Sequence, residues 1–171
     1  DSKQSHWPRK PKRGWGASLA ALESLFGLEC SVHLYPPENA AGLDKKFLMH
    51  SSPFCKSIKA KGHSQERACI RCDQGEVLEA LKKHPSPHLK CCHAGGWEWV
   101  APILKEKHVE GVLFFGVFRL PWTFGPPDSF LYPFLNFEKK VYTNEVDVLP
   151  AVSEERLKKM GAVLDIITYH W

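Results

Sequence analysis

The sequence of 171 residues lacks the features that mark several large protein classes. Its longest clean apolar stretch, residues 112–118, is far shorter than the roughly 18 residues of a membrane span, and no signal-peptide pattern is present. It also has no phosphate-binding glycine-rich loop, nucleophile elbow or His-Glu-x-x-His motif. We therefore expect no membrane partner, and the motifs give no reason to expect an enzyme.

Positive charge is scarce outside the first 14 residues. The chain has 23 Lys and Arg against 19 Asp and Glu, a formal net charge of +4. Residues 1–14 contain five basic residues and one acidic residue, so the rest of the chain is neutral. A domain that binds nucleic acid needs a basic face to neutralise phosphates. We therefore predict a flexible basic arm over residues 1–14, followed by a domain over residues 15–171 without direct nucleic-acid contact.

Cysteine is too sparse for a disulfide scaffold. Six Cys in 171 residues are far below the density of small secreted domains that depend on disulfides. This composition favours a reducing compartment, and we expect a cytoplasmic protein.

The hydrophobic pattern predicts an α+β fold with an antiparallel sheet. Helical stripes, alternating strand patterns and turn residues follow one another without the regular strand–helix alternation of a parallel sheet. Gly27 is the expected end of the first helix, and Ser153 is the expected N-cap of the last one. The predicted helices cover about 19–26, 64–83 and 153–169, and the predicted strands cover 30–35, 88–92, 97–104 and 109–118, the last two as a hairpin.

Four cysteines form the pattern with the clearest chemistry. Cys69 and Cys72 make a Cys-x-x-Cys pair on a predicted helix, and Cys55 and Cys92 are the nearest candidates for two further thiolates. Thiolates favour zinc or an iron–sulfur cluster. The same residues also fit inert buried thiols or a redox-active disulfide, and spacing alone leaves these alternatives open.

Several short motifs occur in the order found in a known family. They are Phe54-Cys55, Cys69-Ile-Arg-Cys-Asp73, Cys92-His-Ala-Gly95, Ala101-Pro-Ile103 and Gly111-Val-Leu-Phe-Phe-Gly116. In this order the segment resembles the PocR sensory domain of bacterial signalling proteins, over roughly residues 19–118 and more loosely the last helix. The positions that match are Cys55, Cys69, Cys72, Cys92, His93, Gly95, Pro102 and Gly116. Cys91 and the Gly96-Trp97 pair depart from the family pattern.

The resemblance implies a single PAS/GAF-like domain, an antiparallel sheet flanked by helices with a small-molecule cavity between sheet and helices. Such domains are thought to sense simple hydrocarbon derivatives, including small diols, within transcription regulators of the AraC type or histidine kinases. The resemblance therefore implies a covalent output domain in the full-length protein. The last helix could lead to that domain and form a homodimer, or it could pack against its own sheet.

Two functional hypotheses follow. In the first, a ligand-sensing regulatory domain binds a small hydrocarbon derivative, residues 119–134 form a lid, and the Cys set holds at most a structural metal. In the alternative, a thiolate-bound zinc ion or iron–sulfur cluster is itself the signal. An enzyme with a Cys nucleophile and His93 would need a third, orienting group that the sequence does not show. The residues predicted to line the ligand site are His93, Trp97, Trp99, Phe115, Phe118 and Trp122, although each aromatic residue also fits an ordinary core position.

Overall fold

The computed structural model describes residues 15–120 and 143–170 of the chain. The predicted basic arm, Trp122 and most of the predicted lid lie outside the described residues. The helices are α1 (Trp15–Phe26), α2 (Pro53–Ala60), α3 (His63–Ile70), α4 (Val77–Lys83), α5 (Thr143–Asp147) and α6 (Glu154–His170), and the strands are β1 (Cys30–Leu34), β2 (His88–Cys91), β3 (Trp97–Lys105) and β4 (His108–Phe118).

The four strands form one sheet in the order β1-β4-β3-β2, and all neighbouring pairs are antiparallel. The predicted hairpin is confirmed as β3 and β4, which pair from Trp97 opposite Phe118 to Lys105 opposite His108. Successive side chains of a strand point to opposite faces. Each face of this sheet meets a different group of helices, so the two faces have different chemistry.

The first face carries the main apolar core. Trp99 and Phe115 are directly paired on β3 and β4 and are buried here together with apolar residues of α1 and α6. Phe26 of α1 meets Phe115 edge to face, with ring centroids 4.9 Å apart. Helix α6 approaches β3 so closely that a Cβ on Gly161 would lie 3.0 Å from the Trp99 ring. The apolar stripe of α6 therefore packs against its own sheet.

The second face is covered by α2, α3 and α4. It contains two smaller apolar clusters, one under α2 and one under α4, with polar side chains between them. The cluster under α2 contains Phe54, Cys55, Ile58, Ala94, Val117 and Leu149. The cluster under α4 contains Val77, Leu81, Val100, Val112 and Phe114.

The predicted helix over residues 64–83 is confirmed in extent but not in detail. Helices α3 and α4 are joined by a π-helical segment, Arg71–Glu76. One wider turn of this kind hardly changes the hydrophobic period, so the sequence pattern does not indicate it. π-Helical turns are rare and often lie at functional sites.

The predicted helix ends are confirmed. The backbone N–H of Arg156 donates to Ser153 Oγ at 3.3 Å, as expected for an N-cap. Gly27 follows α1 with a φ of 58°, a conformation that glycine adopts without strain. The described residues thus form a single α+β domain with helices on both faces of an antiparallel sheet. No helix among them is long and apolar enough to cross a membrane.

Candidate functional site

A buried ion pair lies on the second face of the sheet. Lys90 of β2 and Glu98 of β3 are directly opposite each other in the antiparallel register, so their side chains share a face. Lys90 Nζ lies 2.7 Å from Glu98 Oε1, and the two side chains are 0% and 1% exposed. A charged pair this far from solvent is costly unless each charge has a close partner.

Asp73 brings a second carboxylate to Lys90. It lies in the π-helical segment, and Lys90 Nζ donates to Asp73 Oδ1 at 2.6 Å. Burial acts to raise the pKa of Asp73, but attraction to Lys90 and His50 and the hydrogen bond from Lys90 outweigh it and lower the pKa to about 2. Burial acts to lower the pKa of Lys90, and attraction to Asp73 and Glu98 raises it well above 10.5. The pair is therefore ionised at neutral pH.

His50 closes the cluster on the side away from Lys90. Its Nδ1 lies 3.4 Å from Asp73 Oδ2, and its Nε2 lies 3.5 Å from Glu98 Oε2. The ring packs edge-on against Phe114, with centroids 4.9 Å apart. Each carboxylate therefore directs one oxygen to Lys90 and the other towards the imidazole.

The cluster is not fully satisfied by its own members. Lys90 provides one positive charge against two carboxylates. Neither carboxylate oxygen of Glu98 has a hydrogen bond of suitable geometry among the described residues, although Oε1 is within ion-pair distance of Lys90. Nε2 of His50 has no hydrogen-bond partner there either. Buried polar atoms are normally hydrogen-bonded, so these atoms suggest a partner from outside the protein.

A small cavity opens beside these atoms. Its volume is about 20 Å³, enough for one water molecule or one ion. It lies between the sheet and helices α2 and α3. Its walls are formed by His50, Phe54, Cys55, Ile58, Cys69, Asp73, Cys92, His93, Ala94, Glu98 and Val117.

Three of the four predicted metal-binding cysteines line this cavity. Cys69 Sγ lies 3.2 Å from His93 Nε2, while Cys55 and Cys92 contribute to other parts of the wall. Cys72 is buried, which raises its pKa, and the positive charge of Lys90 acts in the opposite direction. Among the described residues, no three Cys, His or acidic ligand atoms that include a thiol lie within 4.8 Å of one another. Metal binding by the four cysteines stays a prediction.

The thiols are held in their neutral form. Burial raises the pKa of Cys69 to about 11 and those of Cys55 and Cys72 to about 12. The pKa of His93 is lowered, mainly by burial, so its imidazole is neutral at physiological pH. The Cys69–His93 contact is consequently a thiol beside a neutral base.

The predicted ligand-site residues are divided between the two faces of the sheet. His93 lines the cavity, whereas the aromatic residues Trp97, Trp99, Phe115 and Phe118 belong to the main core on the first face. Trp122 lies outside the described residues. Whether any of them contacts a ligand stays a prediction.

Sequence reasoning missed four residues of the cluster, namely His50, Asp73, Lys90 and Glu98. One signal was present, because Lys90 and Glu98 are charged residues in the middle of otherwise apolar strands. Asp73 stands out in the sequence only as part of the Cys-x-x-Cys-Asp motif. His50 is in an irregular segment with no pattern to single it out.

Comparison with known proteins supports the resemblance seen in the motifs. The model of the sensory domain found in PocR matches residues 40–170, which include strands β2 to β4 and all residues that line the cavity. Helix α1 and strand β1 precede the matched region. No curated protein and no solved structure matches the chain. The family match covers most of the sequence, and the chain belongs to the family of sensory domains found in PocR.

Proposed function

We propose that the domain senses a small hydrocarbon derivative that binds in the cavity between β3 and helices α2 and α3. The observation that carries this proposal is Glu98, a carboxylate that lines the cavity. Its Oε1 lies 2.7 Å from Lys90 Nζ, whereas its Oε2 has no hydrogen-bond partner among the described residues. A ligand hydroxyl would supply the missing donor. Phe54, Ile58 and Val117 provide apolar contacts for the carbon atoms.

The polar groups of the cavity favour a ligand that donates hydrogen bonds. Glu98 and Asp73 are acceptors, and the neutral His93 can accept or donate. A carboxylate ligand would meet repulsion from both acidic side chains. Small alcohols and diols therefore fit the site better than short acids do.

The size of the cavity connects binding with signalling. About 20 Å³ is less than the volume of a diol, so such a ligand must displace α2 or α3 from the sheet. Asp73 links this helical layer to β2 through Lys90, and α6 packs on the other face of the same sheet. Binding would shift the population between two packings of these layers.

The wider role is that of a regulatory module in a bacterial transcription regulator or signalling protein, and not that of an enzyme. We place it in the cytoplasm, joined covalently to an output domain that makes any contact with DNA. We further propose that α6, on which Ile166 is exposed, contributes to a homodimer.

The proposal is tested by thermal shift of the chelator-treated protein with short alcohols, 1,2-diols and short carboxylates. We expect a diol to raise Tm while a carboxylate of equal length does not. The shift should be lost in Glu98→Gln and reduced in His93→Asn, and it should persist in Trp99→Phe, which alters only the opposite face. A shift that is lost in Trp99→Phe but kept in Glu98→Gln would place the ligand in the aromatic core, and no shift with any compound would overturn the proposal.

A further inference from the structure

We propose that His50, Asp73 and Glu98 bind one divalent transition-metal ion. This inference goes beyond the proposed function, because an organic ligand can bind without the ion and the ion without an organic ligand. It also differs from the cysteine site that the sequence predicts. The three side chains come from a loop, the π-helical segment and β3, and the fold alone brings them together.

The donor atoms lie near the separation that a shared ion requires. One atom from each of the three residues lies within 4.8 Å of the other two. An ion binds only one nitrogen of an imidazole, and His50 Nε2, which lies 3.5 Å from Glu98 Oε2, is a buried nitrogen without a hydrogen-bond partner among the described residues. The other nitrogen, Nδ1, lies 3.4 Å from Asp73 Oδ2. Ligands about 2.0–2.2 Å from one ion lie roughly 3–4.4 Å from each other.

Lys90 contacts only one oxygen of each carboxylate. Lys90 lies close to Asp73 Oδ1 and Glu98 Oε1, which leaves Oδ2 and Oε2 facing the imidazole. Glu98 Oε2 and His50 Nε2 are both buried without a hydrogen-bond partner among the described residues. Lys90 would then orient the two carboxylates from behind, as outer-sphere groups do in metal sites.

The charges of the cluster and the size of the adjacent cavity suit a bound cation. Lys90 is one cationic side chain between two buried carboxyl groups, and a buried carboxyl group is costly without a close partner. The adjacent cavity of about 20 Å³ accepts an ion or a bound water but not a larger group without movement.

The ligand chemistry selects the class of metal. Imidazole together with two carboxylates suits Mn²⁺, Fe²⁺, Co²⁺ and Zn²⁺, whereas Ca²⁺ and Mg²⁺ prefer all-oxygen sites. Calcium also needs six or more oxygen ligands, and the cluster offers two carboxylates.

The test uses Co²⁺ and Zn²⁺ with the full chain. After treatment with a chelator, the protein is titrated with each ion, bound metal is counted by elemental analysis, and the Co²⁺ complex is examined by absorption spectroscopy. Thiolate ligands give Co²⁺ an intense near-ultraviolet charge-transfer band, which imidazole and carboxylate ligands do not produce. We expect one ion per chain and no thiolate band.

Variants assign the ligands. Glu98→Gln and His50→Gln should each weaken Zn²⁺ binding by about 100-fold or more, because each removes a ligand. The double variant Cys69→Ala, Cys92→Ala is the matched control and should bind Zn²⁺ like the wild type. If a variant fails to fold by circular dichroism, the spectrum of the wild-type Co²⁺ complex still decides the question.

Two results would overturn the proposal. A thiolate band that disappears in the Cys double variant would show that the cysteines bind the metal. Failure of the folded wild type to retain either ion would leave the cluster as an ion-pair network without metal. Neither result affects the diol response of chelator-treated protein, so the failure of this proposal is distinguishable from failure of the proposed function.

Discussion

Lys90 Nζ lies 2.6 Å from Asp73 Oδ1 and thereby joins the second strand of the sheet to the π-helical segment between α3 and α4. The same ammonium group lies 2.7 Å from Glu98 on the neighbouring strand. One fully buried lysine thus connects two strands with the helical layer that covers them. Loss of this lysine should destabilise the packing of the helices on the second face.

We predict that Lys90→Met strongly destabilises the domain at neutral pH. The substitution leaves two carboxylates buried without their cation, and the free energy of unfolding should fall by about 3–5 kcal/mol. Urea unfolding measures this change. Lys82→Met is the control, since Lys82 forms an exposed pair with Glu79 and should matter little. Equal stability of the two variants would contradict this account of the cluster.

Acid should weaken the domain through Asp73. Its pKa is about 2 in the folded protein against 3.8 for an ordinary Asp, because the attraction to Lys90 outweighs the effect of burial. A lowered carboxyl pKa contributes stability above pH 3.8, and this contribution is lost as the pH falls towards 2. It corresponds to about 2 kcal/mol.

The measurement is the free energy of unfolding of the wild type and of Asp73→Asn between pH 5 and 2. The variant should be less stable at pH 5, and the difference should shrink as the wild-type carboxylate becomes protonated. Parallel curves over this range would show that Asp73 has an ordinary pKa.

The strand pattern predicts the sheet but does not indicate the buried cluster of charged residues. Alternation of apolar and polar residues in Leu89-Lys90 and in Trp97-Glu98-Trp99 indicates one buried face and one face in water. The alternation is real, but α2, α3 and α4 cover the second face as well, so the polar positions are buried. A pattern within one strand cannot show what packs on top of it.

The cavity illustrates the same limit for aromatic residues. The sequence allows Trp99 and Phe115 either as pocket walls or as core residues. They pack in the core against α1 and α6, and a contact with a ligand stays a prediction. Cys69 and His93 belong to matching motifs and both line the cavity, and their predicted roles in binding a metal and a ligand stay predictions. His50 could be assigned only from the folded chain, because its partners are distant in sequence.

His33 should give the domain a second acid sensitivity, at a higher pH than that of Asp73. Burial, and then repulsion from His50, lower its pKa from 6.5 to about 4. The fold therefore favours neutral His33, and the stability that this provides above pH 6.5 is lost as the pH falls towards 4. The slope due to one such group is at most about 1.4 kcal/mol per pH unit.

The test compares the wild type with His33→Gln by chemical unfolding at pH 7, 5.5 and 4. The variant lacks this titration, so its stability should fall less steeply over the interval. His63→Gln is the control, because His63 is 95% exposed. An unchanged slope in His33→Gln would show that His33 does not contribute.

Cys69 should react with a neutral thiol reagent before the deeply buried cysteines. It is half-buried with a pKa of about 11, whereas Cys30 and Cys55 are buried with pKa values of about 12. Iodoacetamide at pH 8, followed by peptide mass mapping, should label Cys69 first and Cys30 only after unfolding. A ligand in the cavity should slow the labelling of Cys69. Labelling of Cys30 at the same rate in the folded protein would contradict the burial described here.

The contact between α6 and the sheet should depend on Gly161. A Cβ at this position would lie 3.0 Å from the Trp99 ring, so Gly161→Val must push α6 away from β3. We expect a loss of about 1–3 kcal/mol in the free energy of unfolding, typical of overpacking. Ala162→Val is the control, because Ala162 is exposed on the same helix and the change adds only a small helix-propensity cost. Equal stability of Gly161→Val and Ala162→Val would mean that α6 can move away from the sheet without cost. In that case the contact between Gly161 and Trp99 would not transmit a signal from the sheet to α6.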